Sequence, residues 1–157
     1  MSATIAADPR RVWRALTSPS ECVGWDDRLI APVDPTDRYP QAGERMRWRC
    51  LLGAVPVLMH DEPQAVVPYQ KLRSQLAIGS LRFDQTYTLT IEEERGGNGE
   101  PGAQSRARKT RLCMKVIASN SVALVGAVVD RFEVRRMTVD RVDETLRAVT
   151  KWCENDP

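Results

Sequence analysis

The sequence lacks the residue sets that most metal and phosphate sites require. It has one histidine and four widely spaced cysteines with no CxxC pair, so a zinc site is not expected. It contains no glycine-rich phosphate loop and no pattern typical of a catalytic triad. We therefore predict no metal and no cofactor, and no catalytic residue can be named from a motif.

Long apolar runs are missing as well. No stretch approaches 18 apolar residues, so no membrane span is expected. The first residues do not resemble a secretory signal, and we expect a cytoplasmic protein with reduced cysteines. The net charge is only +2, and the 23 basic residues are scattered along the chain. This distribution disfavours nucleic acid as a partner.

The sequence does contain an amphipathic pattern that predicts one long helix over residues 121–155. Its length of 157 residues and its 42% hydrophobic content suit a single domain, 1–157. Apolar residues recur at steps of three, four or seven and predict one stripe: Val125, Val128, Phe132, Val139, Val142, Leu146, Val149 and Cys153. Such a helix is about 45 Å long and needs a broad partner.

The residues before this helix predict that partner, a sheet of amphipathic strands. A short strand is expected at 2–7, and alternation predicts six more at 29–33, 44–52, 55–62, 69–78, 81–93 and 109–117. Pro63-Gln64 is expected to turn the chain, and Pro56 to mark an edge or a bulge. Residues 95–108, rich in glycine and polar residues, predict a flexible hairpin loop.

Two short helices are predicted after the first strand. Asp8-Pro9 is a helix start signal, with Asp8 as N-cap and Pro9 at the first helical position. A second helix is expected over residues 19–25, after a serine cap. The element order predicts an α+β fold in which an antiparallel sheet packs its apolar face on the long helix.

Residues 5–19, which read IAADPRRVWRALTSP, and Trp25 soon after them resemble the start of START-like proteins. This superfamily is also called SRPBCC, the polyketide cyclase/dehydrase and lipid-transport type. The resemblance implies a helix-grip fold, in which a curved antiparallel seven-stranded sheet wraps around the long C-terminal helix. It further implies a cavity between sheet and helix for a lipid, quinone, polyketide or plant hormone. It implies no mechanism, because the superfamily has no universal catalytic motif.

The inward faces of the predicted strands supply the candidate ligand-binding residues. They are Trp48, Cys50, Leu72, Ser74, Leu76, Phe83, Gln85, Tyr87, Leu112 and Met114, joined by Leu124, Val128 and Phe132 from the helix. The alternative is that these side chains fill a packed core. Three of them, Ser74, Gln85 and Tyr87, are polar on apolar faces, and buried polar groups need partners. A ligand, a trapped water or the backbone could supply those partners.

Trp25 and Asp26 could rim the cavity entrance, although a solvated helix end at Asp26 and Asp27 is favoured. His60 could act as a general base beside Asp61 or Glu62. Neighbouring strand residues point to opposite faces, however, so Asp61 cannot easily orient His60, and a structural or surface role is favoured.

Cys50 is expected to be buried and inert. Arg135 interrupts the helix stripe, which predicts either a bend or an arginine whose stem packs while its head reaches water or an acidic ligand group.

Three functions follow as hypotheses. The leading one is non-enzymatic binding or transport of a small hydrophobic ligand by a monomer or homodimer. The second is a polyketide aromatase/cyclase or dehydratase, which requires the heads of Tyr87, Gln85 and Ser74, with or without His60, to converge. The third is a protein-interaction module with a filled core and an exposed apolar patch. Under the leading hypothesis, the helix before Arg135 contacts ligand and the half over residues 139–153 packs.

Overall fold

One antiparallel sheet of seven strands and a C-terminal helix form the fold. The computed structural model describes residues 1–92, 108–118 and 131–155, with side chains of the last range from residue 138. The elements are β1 Ser2–Ile5, α1 Pro9–Thr17, α2 Pro19–Trp25, β2 Leu29–Pro32, β3 Met46–Leu52, β4 Val55–Val67, β5 Lys71–Ile78, β6 Leu81–Glu92, β7 Lys109–Ala118 and α3 Arg131–Asn155. The strand order is β1-β7-β6-β5-β4-β3-β2. The predicted α+β helix-grip architecture is confirmed.

Both short helices begin where the sequence predicts. The carboxylate of Asp8 accepts a hydrogen bond from the Arg10 backbone N–H at 2.8 Å, and Pro9 opens α1. This satisfies one of the backbone donors that the first turn leaves without a partner. Ser18 occupies the N-cap position of α2, but its side chain makes no capping hydrogen bond.

β4 is longer than predicted. It continues to Val67, so the predicted turn at Pro63-Gln64 is wrong. The pairing with β5 shifts register between Pro63 and Ala65, and this irregularity accommodates the proline inside the strand. Pro56 lies in the part of β4 that pairs only with β3, since pairing with β5 starts at Met59. The predicted edge position of Pro56 is confirmed.

α3 ends at Asn155 as predicted, while its predicted first residues, 121–130, lie outside the described residues. Its buried side chains are Val142, Thr145, Leu146, Val149 and Cys153. Val139 was predicted on this stripe, but it is 49% exposed. Val139 is exposed because α2 packs beside the other margin of α3, the one that carries Thr145 and Trp152. Val139 lies roughly 60° from Val142 around the helix, on the opposite margin.

The buried residues form two clusters. The main core joins α1, α3 and the sheet: Ile5, Val12, Ala15, Leu16, Leu72, Tyr87, Leu89, Leu112, Met114, Val142, Leu146, Val149 and Cys153. A smaller core contains Cys22, Met46 and Trp48. Trp25 packs against both, and its indole N–H donates to the carbonyl of Ala15 at 2.8 Å. No helix in the described ranges is both long and apolar enough to cross a membrane.

Candidate ligand-binding site

The inner face of the sheet is filled unevenly along its strands. Four of the predicted ligand-binding residues belong to the main core and are at most 5% exposed: Leu72, Tyr87, Leu112 and Met114. Farther along the same strands, Leu76, Phe83 and Gln85 share that face but are only half-buried. Side-chain packing therefore closes one end of the face more completely than the other.

Five other predicted site residues complete the comparison with the sequence. Trp48 and Cys50 lie on the inner face of β3 and are buried. Leu124 and Val128 lie outside the described residues, and Phe132 lies in the part of α3 whose side chains are not described. The predicted helix contacts with a ligand therefore stay predictions.

Asp61 is a buried carboxylate that the sequence analysis considered only as a neighbour of His60. It is 5% exposed and lies on the inner face of β4, between Met46 on β3 and Leu76 on β5. Alternation along β4 places Met59 and Pro63 on that same inner face. This alternation could have identified Asp61 from the sequence, because it places a charged residue between two apolar residues on the inner face of β4.

Three more polar side chains surround Asp61, and we refer to these four residues as the Asp61 cluster. Tyr39 donates its hydroxyl hydrogen to Asp61 Oδ2 at 3.0 Å, and its ring stands edge-on to Trp48 at 5.8 Å. Trp48 pairs with Met59 and Ser74 with Pro63, so these two flank Asp61 diagonally from the neighbouring strands. Diagonal neighbours on one sheet face are close enough for such side chains to interact.

Most of the polar side-chain atoms in the Asp61 cluster have no hydrogen-bond partner. Six buried side-chain nitrogen and oxygen atoms in the described part of the chain have no hydrogen-bond partner, and three of them are Trp48 Nε1, Asp61 Oδ1 and Ser74 Oγ. Ser74 and Trp48 are near enough to Asp61 to lower its pKa, but neither side chain meets the geometric criteria for a hydrogen bond to it. Burial of such atoms is unfavourable until something pairs with them.

The environment of Asp61 favours its protonated form. Burial raises its pKa to about 6, and the nearby Ser74, Tyr39 and Trp48 side chains limit that rise. Burial, together with the charge of Asp61, also raises the pKa of Tyr39 and of Cys22. No positive side chain in the described ranges lowers the pKa of Asp61. The carboxylate is therefore close to half-ionised just below neutral pH.

Asp26, predicted at the cavity entrance, forms an ion pair with α3. It is 4% exposed, and Arg141 donates to both of its oxygens, at 2.5 Å to Oδ2 and 3.2 Å to Oδ1. A solvated helix end therefore describes the exposed Asp27 but not Asp26. A role for Trp25 and Asp26 at an entrance stays a prediction.

An open groove of about 810 Å³ runs between α2 and α3. Its walls are Gly24, Trp25, Asp26, Asp27, Arg28, Glu144, Thr145, Ala148, Lys151, Trp152 and Asn155. A Cβ atom at position 24 would lie 2.5 Å from the ring of Trp152, so glycine allows the close approach of the two helices. Trp152 is held there by a hydrogen bond from its indole N–H to Glu21 at 2.9 Å.

His60 lies on the outer face of the sheet, and Cys50 is a buried thiol on the inner face. His60 pairs across the sheet with Arg47 and Ala77 on the outer face, so it does not join the inner-face residues Ser74, Gln85 and Tyr87. Burial and the charge of Asp26 raise the pKa of the Cys50 thiol, which keeps it protonated at neutral pH. The expected buried thiol at Cys50 is confirmed.

The sheet, the two short helices after β1 and the C-terminal helix define a START-like helix-grip fold. A START superfamily protein from Mycobacterium smegmatis is similar, with a TM-score of 0.67 and 7% identity over 99% of this chain and 95% of that chain. Ara h 8.0201 gives a TM-score of 0.62 with 8% identity, covering 99% of this chain and 96% of that chain.

Protein CV1439 from Chromobacterium violaceum is also similar, with a TM-score of 0.61 and 13% identity over 98% of this chain and 96% of that chain. No family model and no curated protein matches the sequence. At these identities the likeness concerns the fold alone, which agrees with the fold that the resemblance of residues 5–19 implied.

Proposed function

We propose that the protein binds or transports a small hydrophobic ligand, such as a lipid, quinone or polyketide-like compound, between the sheet and the C-terminal helix. The observation that carries this proposal is the Asp61 cluster on an otherwise apolar inner face, with three buried atoms that lack partners. Ligand pockets typically combine apolar walls with a few polar groups that orient the ligand.

The half-buried residues beside the Asp61 cluster would form the apolar wall of this site. Leu76 pairs directly with Asp61 on one side and with Phe83 on the other, and Gln85 pairs with Ser74. These contacts place polar and apolar groups next to one another on three adjacent strands. The START-like fold supports the proposal, since a space between sheet and helix is where such a fold can enclose a ligand.

The proposal is tested by solvent extraction of the purified protein followed by mass spectrometry. Leu76→Trp would fill the proposed space from the inner face of β5, whereas Gln75→Trp, one residue away on the exposed face, is the matched control. We expect a co-purifying small molecule in the wild type and in Gln75→Trp, and its loss in a folded Leu76→Trp. Absence of any extracted ligand, together with no binding of the neutral apolar dye N-phenyl-1-naphthylamine, would contradict the proposal.

A polyketide cyclase- or dehydratase-like activity is the second candidate. The observation in its favour is Asp61, a buried carboxylate whose pKa of about 6 suits a general acid or base near neutral pH. Ser74, Gln85 and Tyr87 share its face of the sheet. In this case Asp61→Asn would abolish conversion of a linear poly-β-keto thioester while leaving its binding measurable. Equal turnover by the two proteins would rule this candidate out.

A further inference from the structure

We infer that the ligand presents a hydroxyl group to the Asp61 cluster, where the hydroxyl donates to Asp61 Oδ1 and accepts from Trp48 or Ser74. This inference rests on the proposed function and adds the chemical class of the ligand. Its basis is the geometry of Trp48, Asp61 and Ser74, all at least 95% buried and each with an unpartnered atom.

The hydrogen-bonding capacity of these side chains limits what can satisfy them together. An ionised Asp61 only accepts, and Tyr39 already occupies its Oδ2. The indole nitrogen of Trp48 only donates. A single group that pairs with both must therefore donate one hydrogen bond and accept another. A hydroxyl is the smallest group that does so, whereas an ether only accepts and an ammonium only donates.

Within the described ranges, the charges around the Asp61 cluster disfavour an acidic head group. The ionisable groups that face Asp61 are Cys22 from α2, Tyr39 from the segment before β3 and Tyr87 from β6, and Asp26 at the end of α2 lies near the same thiol. None of them carries a positive charge. A ligand carboxylate would add negative charge beside Asp61, and none of these described groups would offset it. A neutral hydroxyl adds none.

The apolar body of such a ligand would extend from the hydroxyl along Leu76 and Phe83. Both are half-buried, and Leu76 is the direct neighbour of Asp61 on β5. The predicted ligand is thus an alcohol or phenol whose polar group is at its buried end. Its apolar part would cover the incompletely packed end of the sheet.

The test is displacement of bound N-phenyl-1-naphthylamine, a neutral apolar dye, by two matched pairs, 1-decanol with decyl methyl ether and 2-naphthol with 2-methoxynaphthalene. We expect the hydroxyl member of at least one pair to bind about 10- to 100-fold more tightly to the wild type. The preference should disappear in Asp61→Leu, which keeps a side chain of similar size without polar atoms. It should persist in Glu62→Gln, which changes the adjacent outward-facing carboxylate.

The possible outcomes separate the inference from the proposed function. Displacement by ether and alcohol with equal affinity overturns the inference and supports the proposed function, as expected if an ordered water satisfies the Asp61 cluster. Tighter binding of decylamine than of decanol also overturns the inference, in favour of a cationic head group. Failure of the dye and of every panel member to bind overturns both. Thermal denaturation of each variant confirms that the comparison is made between folded proteins.

Discussion

Leu72 and Leu76 lie four residues apart on one face of one strand, yet their surroundings differ. Leu72 is buried in the main core, which also contains Val142 and Leu146 of the C-terminal helix, whereas Leu76 is half-buried beside Asp61, one of whose carboxylate oxygens has no partner. Both residues belong to the same alternating pattern, so hydropathy does not distinguish them. The difference lies in what covers each end of the sheet. Packing around Leu72 supplies stability, and the end of the sheet near Leu76 is where we propose that a ligand binds.

The largest effect is expected from truncating these two leucines separately. Leu72→Ala should lower the free energy of unfolding by about 2–5 kcal/mol, because it leaves a cavity in a closely packed core. Leu76→Ala should cost about 1 kcal/mol, because much of that side chain is not enclosed by protein atoms. Urea denaturation measures both values in the ligand-free protein. Equal losses would show that the two ends are packed alike.

A pH-dependent effect of similar size is expected from Asp61. Its pKa is raised in the folded protein from 3.8 to about 6, so the folded state binds its proton more tightly than the unfolded chain does. The resulting stability is fully present below pH 4 and is lost as the pH rises toward 6, by about 3 kcal/mol in total. Asp61→Asn should remove this contribution.

The corresponding measurement is urea denaturation of wild type and Asp61→Asn at several pH values between 4 and 7.5. Relative to the variant, the wild type should become progressively less stable as the pH increases. Glu62→Gln serves as the control. It keeps Asp61, so its stability should still fall with rising pH as that of the wild type does, and it removes only an exposed carboxylate whose pKa is lowered by Arg45. Parallel profiles for wild type and Asp61→Asn would contradict the burial argument.

The smallest effect on stability is expected in the helix, at Phe132. If the helix before Arg135 contacts ligand, Phe132→Ala should weaken dye binding several-fold and change the free energy of unfolding by less than about 1 kcal/mol. Leu146→Ala should do the reverse, since Leu146 is buried in the main core. Dye titration and urea denaturation of the two variants provide the comparison. A strongly destabilised Phe132→Ala with unchanged dye affinity would assign Phe132 to packing.

The sequence predicted the elements that depend on local signals. Asp8-Pro9 marked the start of α1, and alternation located the seven strands and most of their inward residues. The predicted turn at Pro63 was wrong. A proline usually interrupts a strand, and here the register shift against β5 lets β4 continue. Asp61 was considered only as a partner for His60, although alternation along β4 places it on the inner face.

Long-range contacts could not be obtained from the sequence. Asp26 and Arg141 are 115 residues apart, and nothing in the local pattern of either residue indicates that they meet. The exposure of Val139 depends in the same way on which margin of α3 the helix α2 covers. Periodicity places residues on a face, but the neighbouring elements determine how much of that face is buried.

The Asp26–Arg141 ion pair has a kinetic consequence for any molecule that passes between α2 and α3. Separation of these helices would remove the two-point contact of Arg141 and leave the buried carboxylate of Asp26 with the longer contact to Arg28, at 3.5 Å, so the separated state is unfavourable. Since neither residue belongs to the Asp61 cluster, the pair would govern the residence time of a bound molecule more than its affinity. Exchange should therefore be slow even for a weakly held ligand, and it should accelerate when the guanidinium is replaced by a group that cannot contact both carboxylate oxygens.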